Sequence, residues 1–312
     1  MTLSRRRFLT ITAASGLGLA AGLAAWPKSA PRFDWRGSAL GAEARVSMLG
    51  MDRGKAERLA TLVMAEVERL EQCFSLHRSA SELSRLNAQG RLDAPTQDFR
   101  RLLNRALFYW DATDGTFNPA VQPLWRLLQA HFARDADAGG PDENTLEDAL
   151  SRADPARISV SAAEIRMAAG MALTFNGIAQ GYITDRVSEL LQAEGCRDVL
   201  VELGEWRALA GKAWPISLPG SGLRLSLQSQ ALAVSAPAGT PLSADGRWHH
   251  LIDPHSGRPA GGVRSVSVRA PEACAADALS TALAVAGDDV RARIARRFPD
   301  AEVFVDPAAP TA

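Results

Sequence analysis

The chain has 312 residues, of which 46% are apolar and 22% charged, and its 35 Lys and Arg are balanced by 35 Asp and Glu. This length suits one large domain or two small ones, and the composition excludes global disorder. A formal charge of zero argues against a nucleic-acid partner, because proteins that bind polyanions normally carry a basic surplus. Three cysteines are too few for a disulfide scaffold, and their odd number leaves at least one thiol free.

The first thirty residues have the plan of an export signal. Arginines at 5–7 precede Phe8, Leu9 and a mildly apolar run rich in Ala and Gly, which is typical of a twin-arginine signal. A retained membrane anchor is the alternative, although a span needs about 20 strongly apolar residues and this run is interrupted by Thr, Ser and Gly. We expect residues 1–30 to be the signal peptide and residues 31–312 to form one domain in the periplasm.

The rest of the chain mixes helices and strands in the order of the sequence. Helices are predicted at 52–74, 98–111, 178–193, 275–286 and 288–298, the first two from apolar residues at intervals of three and four. Strands are predicted at 43–49, 157–160, 164–167, 198–203, 264–269 and 302–305, with further short strands between 206 and 234. Residues 135–144 form a polar loop that could mark an insertion, and Gly195 and Gly287 are predicted to close helices. Because no regular βαβ rhythm is present, the pattern favours an α+β domain over a doubly wound sheet.

Asp277 and Thr281 are candidate metal ligands. They lie four residues apart in a predicted Ala-rich helix, so their side chains project from one face. Two oxygen ligands in this arrangement suit a hard cation such as Mg²⁺. Both residues also have ordinary structural explanations, since Asp in a first helical turn complements the dipole and Thr can hydrogen bond within its own helix.

A second candidate segment holds His249, His250, Asp253 and His255 within seven positions. His and Asp are both zinc ligands. However, Asp253 and the proline after it have the chemistry of a turn, and consecutive histidines on a strand would point to opposite faces. A zinc site, a turn beside a ligand pocket and a plain surface loop therefore remain open.

A third segment, residues 176–182, joins a predicted strand to a helix and contains two glycines. Such a junction exposes backbone N–H groups at a helix N-terminus, where phosphate groups bind well. A tight turn that needs glycine for close packing is the alternative. Residues 235–239 form a similar turn of small residues, and the sequence has neither a G-x-S-x-G nor a C-x-x-C motif.

Six segments, taken in order, resemble the ApbE family of periplasmic FAD:protein FMN transferases. They are FSLHRSASELSRLN (74–87), DGTFNPAVQPLW (114–125), LTFNGIAQGYITDRVSELL (173–191), LVELGEWRALAGK (200–212), HHLIDPHSGRPA (249–260) and ADALSTALAVAG (276–287). The resemblance covers roughly residues 36 to 305 and implies a single mixed domain with antiparallel or mixed sheets flanked by helices. The Gln-Gly pair at 180–181 and the twin-arginine signal resemble the NosX-type members, which are associated with nitrous-oxide reduction.

The resemblance implies that FAD is split at its pyrophosphate with the help of Mg²⁺. FMN would be joined by a phosphoester to a Ser or Thr of a periplasmic or membrane flavoprotein, such as an FMN-binding electron-transfer protein, and AMP would leave. Asp277 and Thr281 would hold Mg²⁺ with the backbone carbonyl of Gly177, and His250 would act with Asp277 in catalysis. The positions that would contact FAD are Leu40, His77, Thr116, Phe117, Asn118, Thr174, Gln180 and Leu251.

The chain departs from the family's usual pattern at several of these positions. Family members usually carry Met at 40, Tyr at 77, Asp at 118 and 174, Lys or Glu at 180, and Gly-Gly-Asp or Gly-Gly-Asn at 203–205. The absent carboxylates at 118 and 174 would have accepted hydrogen bonds from ribose or adenine. Since the metal pair is intact, we expect an active transferase. The alternatives are a flavin-binding accessory protein with little catalysis and a chaperone that binds copper or zinc through its histidines.

Overall fold

A computed structural model describes residues 31–218 and 221–308. The predicted signal peptide therefore lies outside the described residues. Within the two described ranges, no helix has both the length and the apolar character needed to cross a membrane.

The described chain is built from short strands and helices that alternate irregularly. The strands are β1 (Arg32–Ala39), β2 (Ala42–Leu49), β3 (Arg91–Asp93), β4 (Ile158–Val160), β5 (Glu164–Met167), β6 (Val199–Glu202), β7 (Trp206–Ala208), β8 (Trp214–Ser217), β9 (Arg224–Leu227), β10 (Ala231–Ser235), β11 (Val263–Ala270) and β12 (Glu302–Pro307). The helices are α1 (Arg53–Phe74), α2 (Glu82–Gln89), α3 (Gln97–Ala112), α4 (Gln122–Phe132), α5 (Glu143–Leu150), α6 (Ala179–Ala193), α7 (Ala273–Val285) and α8 (Asp288–Arg297).

One large sheet organises these elements. It has seven strands in the order β1-β2-β6-β7-β10-β11-β12, and each neighbouring pair is antiparallel. Strands β3, β5 and β4 form a small second sheet, and β8 pairs with β9 in a third. The predicted α+β domain with antiparallel sheets flanked by helices is confirmed.

Both faces of the central strands are buried, because alternate side chains of a strand enter two different apolar cores. Val199 and Val201 of β6 belong to the main core, which also contains the apolar sides of α1, α3, α6 and α7. Leu200, between them, belongs to a second core on the opposite face, where the β8–β9 hairpin contributes Trp214 and Leu227. Successive residues of a strand point to opposite faces, so a continuous apolar run is what a strand between two cores requires.

A third apolar cluster lies beside these two. Helices α4 and α5 pack against each other, and Ile252 from the segment of the histidines is buried with them. This packing anchors the segment to the helical part of the domain.

The predicted elements that were long or clearly periodic agree with the structure to within a few residues. Strands β1 and β3 and helices α2, α4 and α5 were not predicted, and the strand predicted just before residue 176 is not a strand in the structure. Helix α5 begins at Glu143, inside the predicted polar loop, because Asp142 caps it by accepting a hydrogen bond from the N–H of Thr145. Gly287 caps the start of α8 rather than the end of α7. All three cysteines are buried and free.

Candidate functional site

One cavity brings together nearly all of the candidate residues. It is formed by the β1–β2 turn, the loop before α4, the junction before α6, the β6–β7 turn, the segment after β10, and helix α7 itself. The predicted site residues that line it are Leu40, Thr116, Phe117, Asn118, Thr174, Gly177, Gln180, His250, Leu251, Asp277 and Thr281.

His77 is the exception. It lies exposed in the turn after α1, where its backbone N–H donates to the Ser75 hydroxyl. Ser81 and Ser84 also donate hydrogen bonds to the carbonyl of Ser75, and these bonds hold the turn on the surface. The structure therefore does not bring His77 to the cavity, and its contact with FAD stays a prediction.

A carboxylate on the neighbouring helix α6 caps the N-terminus of α7. Asp185 of α6 accepts hydrogen bonds from the backbone N–H groups of Ala273 and Cys274, at 2.8 and 2.9 Å, and forms an ion pair with Arg207 of β7. Burial raises the pKa of Asp185, although Arg207 opposes the shift. Sequence reasoning did not identify this helix cap. The available signal was an Asp four residues after Gly181, on the same face of α6.

Gly181 allows α6 and α7 to approach closely at Asp277. A Cβ atom at position 181 would lie 2.3 Å from the carbonyl oxygen of Ala273 and 2.8 Å from the Cβ of Asp277. In this close contact the N–H of Gly181 donates a 3.0 Å hydrogen bond to Oδ2 of Asp277. Burial raises the pKa of Asp277 to about 7 despite that bond. Asp277 is in the second turn of α7, so a first-turn dipole interaction does not explain it.

Thr281 lies one turn further along the same face of α7. A Cβ atom at Gly177 would lie 2.9 Å from Thr281 Oγ1, so the Gly177 backbone lies directly against this hydroxyl. Thr281 Oγ1 also lies 3.4 Å from the hydroxyl of Ser235. The Asp277 carboxylate, the Thr281 hydroxyl and the Gly177 backbone thus offer oxygen atoms alone, which are the ligands that Mg²⁺ prefers.

A second carboxylate faces the same cavity. Glu205, in the turn between β6 and β7, is only 4% exposed. Its side chain accepts a hydrogen bond from the backbone of Val234, while its Oε2 has no hydrogen-bond partner within residues 31–218 and 221–308. Burial, reinforced by the nearby charge of Asp277, raises the pKa of Glu205 well above its ordinary value. The sequence showed Glu205 as a departure from the family pattern but not as a site residue.

The backbone before Glu205 also depends on glycine. Gly204 has a φ of +99°, and a Cβ atom there would lie 2.6 Å from the amide of Gln180. The turn therefore packs its backbone against the first turn of α6, close to Gly181.

The structure separates the three histidines. His249 is buried, and its Nε2 donates to the carbonyl of Ala260 at 2.9 Å. The Nε2 of His255 donates to the carbonyl of Asp114 at 3.1 Å. Of the three, only His250 lines the cavity. In the part of the chain that the structure describes, no three His, Cys, Asp or Glu residues are grouped to hold a metal ion.

His250 is neutral at neutral pH. Burial lowers its pKa to about 4, with His249 adding to the shift. The imidazole hydrogen bonds to the backbone of Thr240, and its Nδ1 has no partner among the described residues. The arrangement leaves a buried ring nitrogen without a hydrogen-bond partner on a residue that lines the cavity.

Asn118 and Thr174, where the family usually has carboxylates, support the loops of the cavity. Asn118 donates through Nδ2 to the carbonyl of Ala153 at 2.9 Å and accepts the N–H of Ala120 at 2.7 Å. Thr174 accepts a hydrogen bond from the N–H of Asn176 through its hydroxyl oxygen.

The chain is similar to known proteins over most of its length. The sequence model of the ApbE family matches residues 40–305. The FAD:protein FMN transferase of Treponema pallidum is 33% identical to this chain over 279 residues, covering 78% of this chain and 76% of that protein.

Solved structures are also similar. The ApbE protein of Thermotoga maritima superposes with a TM-score of 0.77 and 26% identity, covering 89% of this chain and 94% of that one. The flavinyl transferase ApbE of Pseudomonas stutzeri gives a TM-score of 0.73 and 26% identity, covering 85% and 88%. The chain belongs to the ApbE family.

Proposed function

We propose that this protein is an Mg²⁺-dependent FAD:protein FMN transferase. The observation that carries this proposal is that Asp277 and Thr281, one helical turn apart on α7, face a single cavity together with the backbone of Gly177. The name of the Treponema pallidum relative, which covers most of this chain, supports the same activity.

The three oxygen donors Asp277, Thr281 and Gly177 would hold the cation. When bound, Mg²⁺ would neutralise charge on the phosphates of FAD. The chain's own contribution is to fix these donors: Asp185 holds the N-terminus of α7, and Gly181 holds the carboxylate of Asp277. Phosphoryl transfer depends mainly on such positioning.

In the proposed reaction, a hydroxyl oxygen of the acceptor forms a bond to the phosphorus on the FMN side of the pyrophosphate. The bond from that phosphorus to the bridging oxygen breaks, and AMP leaves with the electron pair. The acceptor hydroxyl must lose its proton. His250 lines the cavity, its low pKa keeps it neutral, and its Nδ1 has no partner among the described residues, so it would accept this proton.

The rest of the cavity lining suits a dinucleotide that carries aromatic rings. Leu40, Phe117 and Leu251 offer apolar surface, and Trp125 and Trp206 add aromatic rings. Ligand cavities usually combine such walls with a few polar groups that fix orientation. The rings of FAD would lie against the apolar walls of the cavity, and its phosphates would lie near Asp277.

We further propose that the protein acts in the periplasm and resembles NosX-type members in function. The twin-arginine pattern at residues 5–9 supports export of the folded chain. Three buried, unpaired cysteines suit folding in a reducing compartment before export. The acceptor would be a periplasmic or membrane flavoprotein with an accessible Ser or Thr, including one that supplies electrons for nitrous-oxide reduction.

Release of AMP tests the transferase proposal. The purified protein is incubated with FAD, Mg²⁺ and a candidate acceptor domain, and AMP and covalent FMN on the acceptor are quantified by chromatography and mass spectrometry. The proposal predicts equal amounts of both. Tightly bound FAD without AMP would instead indicate an accessory flavin carrier, and binding of copper or zinc without flavin would indicate a chaperone.

A further inference from the structure

We propose that Glu205 is a second carboxylate ligand of the cation, so that the protein takes up a divalent cation before FAD arrives. This inference rests on the proposed cation site at Asp277. It adds a ligand that the spacing of Asp277 and Thr281 does not supply.

One carboxylate oxygen of Glu205 is buried and unsatisfied. Glu205 is 4% exposed, and its Oε2 has no hydrogen-bond partner among the described residues. A buried carboxylate oxygen without a partner is costly, because it has lost its hydration and gained nothing in exchange. Since Glu205 lines the cavity, a cation bound in the cavity would supply the missing partner.

The ionisable side chains of the cavity lining favour a cation. Two carboxylates, Asp277 and Glu205, belong to the lining, and they are near enough for the charge of one to act on the other. Among the described residues that line the cavity, none is Lys or Arg. Two buried carboxyl groups that lack a cationic side chain can bind one divalent cation together in their ionised form, because the cation neutralises both charges.

Glu205 is held in a fixed position relative to α6 and α7. Gly204 packs against the side chain of Gln180, and the next residue on α6, Gly181, is hydrogen bonded to Asp277. The backbone of Val234 holds the Glu205 side chain. The two carboxylates are thus attached to one rigid contact between α6, α7 and the β6–β7 turn.

The test measures binding of Mn²⁺ alone, by electron paramagnetic resonance and calorimetry, to the full-length protein without FAD. We expect one Mn²⁺ to bind, Mg²⁺ to compete with it, and Glu205→Gln to weaken binding by about tenfold or more. The matched control is Glu202→Gln, which alters a partly buried carboxylate three residues away that does not line the cavity. It should bind Mn²⁺ as the unmodified protein does.

The outcomes separate this inference from the proposed function. If Asp277→Asn abolishes Mn²⁺ binding but Glu205→Gln does not weaken it, the role of Glu205 is wrong and the Asp277 site stands. If the unmodified protein binds no Mn²⁺ without FAD, the inference is also wrong, while AMP release still tests the transferase.

A second measurement uses the unmodified protein and therefore does not require any variant to fold. Crystals of the unmodified protein soaked in Mn²⁺ should show anomalous density within roughly 2.0–2.3 Å of an oxygen of both Asp277 and Glu205. A Mn²⁺ ion bound to Asp277 and separated from Glu205 by a water molecule would overturn the proposal.

Discussion

The backbone N–H of Gly181 on α6 donates a hydrogen bond to the carboxylate of Asp277 on α7, across 3.0 Å. The bond exists because glycine lets the two helices touch. The packing of α6 against α7 therefore fixes the position of the carboxylate on which the proposed chemistry depends.

Replacing Asp277 by Asn should abolish FMN transfer while the protein stays folded. The substitution keeps the volume of the side chain but removes the charge that binds the cation, so the rate should fall roughly a thousandfold or more. The measurement is AMP release, with circular dichroism as the check on folding. Asp288→Asn, at the exposed start of α8, is the control and should retain full activity. Normal turnover by Asp277→Asn would rule out the metal assignment.

Replacing Gly181 by Ala should destabilise the protein. Its Cβ would lie 2.3 Å from the Ala273 carbonyl, a backbone atom that cannot move without shifting α7. We expect the free energy of unfolding to fall by about 1–3 kcal/mol, measured by chemical denaturation. Gly54→Ala, in the first turn of α1, meets nothing closer than 3.4 Å and should be neutral or stabilising. Equal stabilities of the two variants would contradict the close helix contact.

Replacing His250 by Ala should slow turnover or weaken FAD binding. The imidazole lines the cavity, and its loss removes the proposed proton acceptor, which is typically worth about 10²–10⁴-fold in rate. FAD affinity is measured by flavin fluorescence and turnover by AMP release. His255→Ala removes an exposed imidazole outside the cavity and should change neither. If His250→Ala matched the unmodified protein in affinity and rate, the segment would be structural only.

Acid should weaken a buried network at the start of α3. Asp98 accepts a hydrogen bond from the Tyr182 hydroxyl at 2.6 Å and forms a 2.8 Å ion pair with Arg69. Burial alone would raise the pKa of Asp98, but these two partners outweigh it and hold the pKa below its ordinary value. The stabilisation is therefore present above the unfolded pKa of about 3.9 and is lost as pH falls through the lower folded value.

The matching measurement is the free energy of unfolding against pH for the unmodified protein and Asp98→Asn. The variant should be less stable at neutral pH, and the difference should shrink at pH values below about 4. Tyr182→Phe should cost about 1–2 kcal/mol at neutral pH. If the difference in the free energy of unfolding stays constant as the pH falls, Asp98 is not the source of the loss of stability in acid.

Much of the fold was predictable because long periodic segments determine their own structure. Helix α1 shows its apolar side at regular intervals and an Asp52 cap, and β11 alternates clearly. The short helices α4 and α5 were not predictable in this way, since they become stable only by packing on each other and on Ile252.

The candidate site was predictable where its ligands lie close in sequence. Asp277 and Thr281 share a helix, and their spacing alone places them on one face. Asp185 and Glu205 were missed because their partners are distant in the chain: Asp185 caps a helix 88 residues later. The spacing of Asp185 from Gly181 indicates a shared helix face, but a single sequence does not identify the distant partner.

The most direct test of the account is a crystal structure with FAD and Mn²⁺, in which anomalous scattering locates the metal. We expect a single strong peak at Asp277 and Thr281, with the pyrophosphate of FAD bound to it and the flavin against Leu40 and Leu251. A metal peak at the histidines, or FAD bound outside this cavity, would contradict it.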